Sequence, residues 1–303
     1  MLRHAMSREG RNTKNAGRQS RPGLEALERR EVRAGIMLGV DGVLTITATS
    51  DTQRNGATID VDTMNTANPY DDMVKVNWWV GNAPVPTKSF PLYKQANVKG
   101  KTQWAPNVVK IVYRGNAGND ACTNHTSIDS QMFGNDGDDD LIGGSGSDWL
   151  EGGNGSDVVL GNDGADVLFA SFYSDYPGTS KTLPPASQDI VHGGKGDDYL
   201  FGARNGQNTL EGGANDDHVY GANFAVNKIT GGTGNDYLAG GDLAFNSITD
   251  RDGKDTIHSG TSAHTSIWTD DLHEDDTIYI GKGTVAFIVC DQPNPKGDKV
   301  TFF

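Results

Sequence analysis

Between Ile36 and Tyr113 apolar residues recur at every second position. Val43-Leu-Thr-Ile-Thr-Ala-Thr49, Ala57-Thr-Ile-Asp-Val61, Met73-Val-Lys-Val-Asn-Trp-Trp-Val80 and Val108-Val-Lys-Ile-Val-Tyr113 alternate apolar with polar residues or are rich in β-branched ones. A period of two sends successive side chains to opposite faces of a strand. Asn55-Gly56, Asn68-Pro69 and Ala83-Pro-Val-Pro86 interrupt the runs with turn formers. The pattern predicts a small antiparallel β region over 36–113. Trp78, Trp79 and Trp104 read there as core aromatics, with a sugar-stacking platform as the alternative.

Past Gly115 the pattern changes. Residues 134–169 divide into GNDGDDDLI, GGSGSDWLE, GGNGSDVVL and GNDGADVLF, nine residues each, with Gly at the first and fourth places, Asp at the sixth and one apolar residue at the eighth. Glycine at the first, second and fourth places permits backbone with positive φ, so six residues can close a tight turn. The last three form a very short strand whose middle side chain points inward. Two units then make one flattened coil, and coils stack about 4.8 Å apart through parallel β hydrogen bonds. A short fixed period of this kind means stacked units, none able to fold alone.

The pattern resumes as GGKGDDYLF (193–201), GGANDDHVY (212–220), GGTGNDYLA (231–239) and DRDGKDTIH (250–258), separated by ten-residue units that lack the sixth-place Asp. Here the repeat is nineteen residues: Asp198, Asp217, Asp236 and Asp255 share that spacing, as do Asn208, Asn227 and Asn246. Counting half-turns, with the insertion at 170–188 taken as one turn, places Asp148, Asp166, Asp198, Asp217, Asp236 and Asp255 on one edge. Asp120, Asp139, Asp157 and Asp189 fall on the other, where the asparagines continue as a hydrogen-bonded ladder. Thr265-Ser-Ile-Trp268 and Asp276-Thr-Ile-Tyr279 extend both series into one imperfect further coil. The fold class is therefore all-β: an antiparallel region over 36–113, a parallel β-roll over 114–280, and a capping hairpin over 281–303 formed by Thr284–Val289 and Lys299–Phe303. A C-terminal secretion signal is the competing reading of that last segment.

Charge decides what the roll can meet. Net charge is −14, and the first 33 residues hold nine Lys or Arg against four Glu, which leaves 17 basic and 36 acidic residues in the rest of the chain. An acidic body repels phosphate backbones and anionic lipid, so nucleic acid is not a predicted partner. The two cysteines, Cys122 and Cys290, do not make a disulfide scaffold, and Cys122 falls at an inward place as a small core residue. No apolar run is long enough for a transmembrane helix. The basic stretch over 1–35 reads as a disordered leader with one short helix.

The ten aspartates are the candidate metal ligands. Aligned acids repel one another across coils, and one inward side chain per unit buries little, so the coils need a cation between them. Carboxylate and carbonyl oxygens in a flexible shell suit calcium better than magnesium, which demands a tight octahedron. His192, His218 and His258 fall near unit ends without the paired spacing of a zinc site. The units resemble the GGxGxDxUx nonapeptides of the RTX, or haemolysin-type, calcium-binding family; the resemblance implies a parallel β-roll that binds several calcium ions at its turns. Leu24, Glu25, Leu27, Glu28 and Arg29 resemble the Leu-Glu-x-Leu-Glu-x-Arg motif near the N-terminus of exported planctomycete proteins, which implies export to the cell surface or beyond.

Three functions are weighed. The first is a non-enzymatic calcium-binding roll that folds on reaching extracellular calcium, as a structural, surface or matrix protein. The alternative is a calcium-dependent polysaccharide-binding module or an accessory part of a polysaccharide-modifying enzyme. For an enzyme proper the sequence offers no HExxH, no GxSxG and no phosphate-binding loop, and the mixture His258, Ser262, His264, Asp270 and Asp271 lacks any recognised spacing.

Overall fold

The computed structural model describes residues 35–48, 54–62, 68–81, 83–98, 101–172, 186–269, 276–290 and 299–303. The basic leader with its Leu24–Arg29 motif and most of the 170–188 insertion lie outside them. The described residues form a two-sheet parallel solenoid, each sheet twelve strands wide. One sheet stacks Lys110–Ala117, Ser130–Asp136, Trp149–Asn154, Val167–Phe169, Tyr199–Phe201, His218–Tyr220, Tyr237–Ala239, Thr256–His258 and Thr277–Ile280. The other stacks Ala121–Asn124, Asp140–Ile142, Val158–Asp163, Gln188–Lys195, Gln207–Ala214, Val226–Thr233, Phe245–Asp250 and His264–Thr269.

Register follows the expected period. Leu150 stands over Leu168, and Leu168 over Leu200; on the opposite sheet Leu210, Ile229 and Ile248 align in the same way. These inward side chains are fully buried, as is Cys122 at its own rung. The core is one aliphatic residue deep on each side, so a deletion there has no second layer to collapse onto. Leu200→Ala is expected to lower the stability of the calcium-loaded protein by about 2–5 kcal/mol in urea denaturation.

The outward places of the first sheet carry a ring stack: Trp149 on Phe169, Phe169 on Phe201 and Phe201 on Tyr220, with centroids 4.7–5.1 Å apart. His218 stacks between Tyr199 and Tyr237. His258 lies against Tyr237 and Tyr279, so these histidines are half-buried members of the stack.

Both ends differ from the sequence expectation in a shared way. Antiparallel pairs are present before residue 110: Gly35–Leu38 with Val43–Thr47, Asn55–Asp62 with Met73–Val80, Met73–Val80 with Ala83–Pro91, and Tyr93–Val98 with Lys101–Pro106. Yet Val43–Thr47 also pairs in parallel with Lys110–Ala117, and Asn55–Asp62 with Ala121–Asn124. They are the first coil of the solenoid, and the strands between 73 and 106 are an excursion from it. Trp78 is buried, while Trp104 is exposed and stacked on Tyr70 with centroids 5.1 Å apart.

At the C-terminus Val285–Cys290 and Lys299–Phe302 do not pair as a hairpin. The first extends one sheet in parallel beside His264–Thr269, and the second extends the other beside Thr277–Ile280. The open edge of each sheet presents a full row of backbone donors and acceptors, and the last segments complete those rows in preference to each other.

Candidate metal centre

The turns show two separate reasons for glycine. At the second and fourth places of most units the backbone has positive φ, as at Gly153 (123°) and Gly155 (132°), and asparagine takes the second place at Asn135 and Asn162 with φ of 79°. The first place does not need that conformation, contrary to the sequence expectation; it needs room. A Cβ on Gly152 would collide with Asp157 Oδ2 and the Ala170 carbonyl oxygen, and one on Gly193 with Asp198 Oδ2 and the Gly212 carbonyl oxygen. The first-place glycines from Gly115 to Gly193 thus each open a space flanked by their own unit's carboxylate and a carbonyl from the next coil.

The sixth-place aspartates form two ladders along the edges of the roll. On one, the backbone N–H groups of Ser130, Asp148, Asp166, Asp198, Asp217, Asp236 and Asp255 donate in turn to Oδ1 of Asp148, Asp166, Asp198, Asp217, Asp236, Asp255 and Asp276, most at 2.6–2.9 Å and the last at 3.0 Å. On the other, the N–H groups of Asn55, Asp120, Asp139 and Asp157 donate to Oδ1 of Asp120, Asp139, Asp157 and Asp189. Every sequence-predicted aspartate is buried.

Only one oxygen of most carboxylates is used. Oδ2 of Asp139, Asp157, Asp166, Asp198, Asp217 and Asp236 is buried and has no hydrogen-bond partner among the described residues. Asp148 Oδ2 instead accepts from Gly144 N–H, and Asp189 Oδ2 from the Ser187 hydroxyl. A buried carboxylate oxygen left without a donor is costly unless a proton or a cation meets it.

The electrostatics agree with this. Burial, with neighbouring carboxylates adding to it, pushes Asp157, Asp166 and Asp217 up to about 8. Burial likewise raises Asp139, Asp198 and Asp236 to about 7 and Asp189 to about 6. Without a counter-cation, these columns hold protons near neutrality. The donor set is all oxygen, anionic and preassembled, which fits a hard divalent cation of calcium's flexibility; the first-place carbonyls add neutral oxygen donors beside the orphaned Oδ2 atoms.

Beyond Asp189 the second edge changes character. Asn208 Nδ2 donates to Asn227 Oδ1 and Asn227 Nδ2 to Asn246 Oδ1, both at 2.8 Å, and Asn246 Nδ2 reaches Thr265 Oγ1 at 3.2 Å. Each amide also bridges its own turn: Asn227 accepts from Ala222 N–H and donates to the Ala222 carbonyl. These amides spend their hydrogen-bonding capacity on one another and on the backbone, leaving no carboxylate to balance a cation.

The model of the RTX calcium-binding nonapeptide repeat matches this chain in four copies, at residues 133–168, 186–205, 203–226 and 222–242. The chain carries RTX calcium-binding nonapeptide repeats over these segments. No curated protein and no solved structure matches it. RTX repeats imply calcium binding in a β-roll, and the solenoid has that architecture on both sides of the matched segments. Among the described residues no helix is long and apolar enough to cross a membrane.

Two column residues lie outside the sequence-predicted set. Asp276 continues the long ladder of the RTX roll 21 residues after Asp255, a spacing that breaks the period, although the likeness of Asp276-Thr-Ile-Tyr279 to Asp255-Thr-Ile-His258 is its signal. Asp250 enters from a first place, where the repeat carries glycine, and no periodicity marks it. His258 and His264 stand on opposite sheets, so they are not brought together, while Asp270 and Asp271 lie outside the described residues. Cys122 is buried and its thiol is pushed well up by that burial, as suits a core residue.

Proposed function

We propose that the protein binds several calcium ions along its two aspartate columns and that this binding folds the roll. Asp120, Asp139, Asp148, Asp157, Asp166, Asp189, Asp198, Asp217, Asp236 and Asp255 supply the carboxylates, with Asp276 ending the long column. The observation that carries the reading is the row of buried Oδ2 atoms lacking donors, each beside a first-place glycine. Calcium supplies the positive charge those oxygens lack, and its binding free energy becomes folding free energy because the columns exist only in the stacked state.

A switch of this kind suits a chain exported unfolded and folded where calcium is abundant, as a secreted structural or surface protein. Extracellular calcium modules work at about 10⁻⁴–10⁻³ M, above the free calcium inside cells. Isothermal calorimetry of the full chain at pH 8 tests the binding. Uptake of several calcium ions per chain is expected, together with preference over magnesium; a flat calcium isotherm would remove the reading.

A further inference from the structure

The turn opened by Gly231 is unlike the others in the long column. At every earlier rung from Gly143 to Gly212 the next first place is glycine, but the rung after Gly231 begins with Asp250. Because the first place does not need positive φ, the backbone admits a side chain there. Asp250 ends the strand Phe245–Asp250, is only 2% exposed, and turns its carboxylate into the column.

Its neighbours are two column aspartates. One carboxylate oxygen from each of Asp236, Asp250 and Asp255 lies within 4.8 Å of the others. Gly231 makes the space: a Cβ there would collide with both Asp250 Oδ1 and Asp236 Oδ2. Asp236 Oδ2 is buried, points into that space, and has no hydrogen-bond partner among the described residues. Asp250 Oδ1 takes one weak donor, Gly232 N–H at 3.2 Å, and the Asp250 carboxyl is in hydrogen-bonding contact with that of Asp255. Among the described residues no Lys or Arg pairs with Asp236 or Asp250.

At Gly143, Gly161 and Gly193 the space over the first-place glycine is shared by one Oδ2 and a backbone carbonyl; at Gly231 a second carboxylate takes the place of the neutral donor and a third lies beside them. Three anionic oxygens with no nitrogen or sulfur select a hard cation, and affinity in oxygen-ligand sites rises with carboxylate count. We propose that Asp236, Asp250 and Asp255 form a three-carboxylate site for one calcium ion, built by a residue outside the nonapeptide pattern and filled before the other sites in the columns. The inference rests on the calcium reading of the columns. The same charge makes the site the first to take up a trivalent lanthanide.

Calcium titration of the full chain, with Asp250→Gly and Asp250→Asn compared to wild type, tests it. Asp250→Gly restores the residue of the other first places, and Asp250→Asn keeps the shape while removing the charge. Wild type is expected to show one ion bound at least about tenfold more tightly than the rest, and both variants to lose that step while keeping the remaining uptake. Superimposable isotherms for wild type and variants overturn the inference and leave calcium binding by the columns intact; no uptake by wild type overturns both. A wild-type crystal soaked with one equivalent of terbium gives a reading that does not depend on a variant folding. An anomalous peak among the three carboxylates is expected, whereas a peak at another rung in its place, or no peak there in excess terbium, overturns the inference.

Discussion

At pH 8 in chelator the chain is expected to lose its β-sheet circular dichroism, and at pH 5 in the same chelator to keep much of it. Burial raises six of the orphaned column carboxylates to about 7 or 8 in the folded chain, against about 3.9 for an unfolded aspartate. Between pH 4 and 8 the native state therefore holds more protons than the unfolded state, so the stability of the metal-free fold falls as pH rises. It is fully present below about pH 4 and fully lost once pH passes the raised values near 8. Calcium inverts the dependence, because it needs the ionised carboxylates: its stabilising effect should be small at pH 5 and decisive at pH 8. Denaturation followed by circular dichroism at the two pH values, with and without calcium, checks both signs. A metal-free chain equally folded at pH 5 and pH 8 would contradict the buried, unbalanced columns.

The second large effect comes from exchanging residues between the edges of one coil. Asp217 and Asn227 sit on opposite edges of the same turn of solenoid, one in an acidic column and one in the amide ladder. Asp217→Asn keeps an oxygen for the Asp198 N–H and replaces the orphaned Oδ2 with an amine. It is expected to stabilise the metal-free protein at pH 8, lower calcium uptake, and raise the calcium concentration needed for full folding.

Asn227→Asp does the reverse kind of damage. It removes the Nδ2 that serves the Ala222 carbonyl and Asn246 Oδ1 at 2.9 and 2.8 Å, leaving buried acceptors facing a carboxylate. Each orphaned acceptor costs about 1–3 kcal/mol, so destabilisation is expected at every calcium concentration. Urea midpoints and calcium stoichiometry of the two variants separate the columns: if Asn227→Asp gained an ion and stability together, the amide ladder would be a latent metal site.

Much of this arrangement is legible in the residues alone. The spacing of nineteen between Asp198, Asp217 and Asp236 and between Asn208, Asn227 and Asn246 sorts the side chains onto two edges, because a solenoid with a constant coil length returns each place to the same edge. The eighth-place aliphatics are legible for the same reason, since one inward position recurs per strand. Asp276 and Asp250 are harder: one follows an irregular spacing and the other occupies a place defined by glycine, so neither stands where the period points.

What the sequence by itself determined is whatever repeats: the parallel roll, its thin aliphatic core, the aspartate columns and the amide ladder. Tertiary structure decided the ends and the exceptions. Val43–Thr47 and Asn55–Asp62 keep the antiparallel partners that their local pattern suggests and join the roll in parallel through their other edges, whereas Thr284–Val289 and Lys299–Phe303, which read locally as a hairpin, each extend an open sheet edge instead. It also decided that first-place glycine serves space and not conformation, and hence that Asp250 can stand there with its carboxylate turned onto Asp236 and Asp255. Periodicity specifies which residues align; only the packed coils show which atoms then lack a partner.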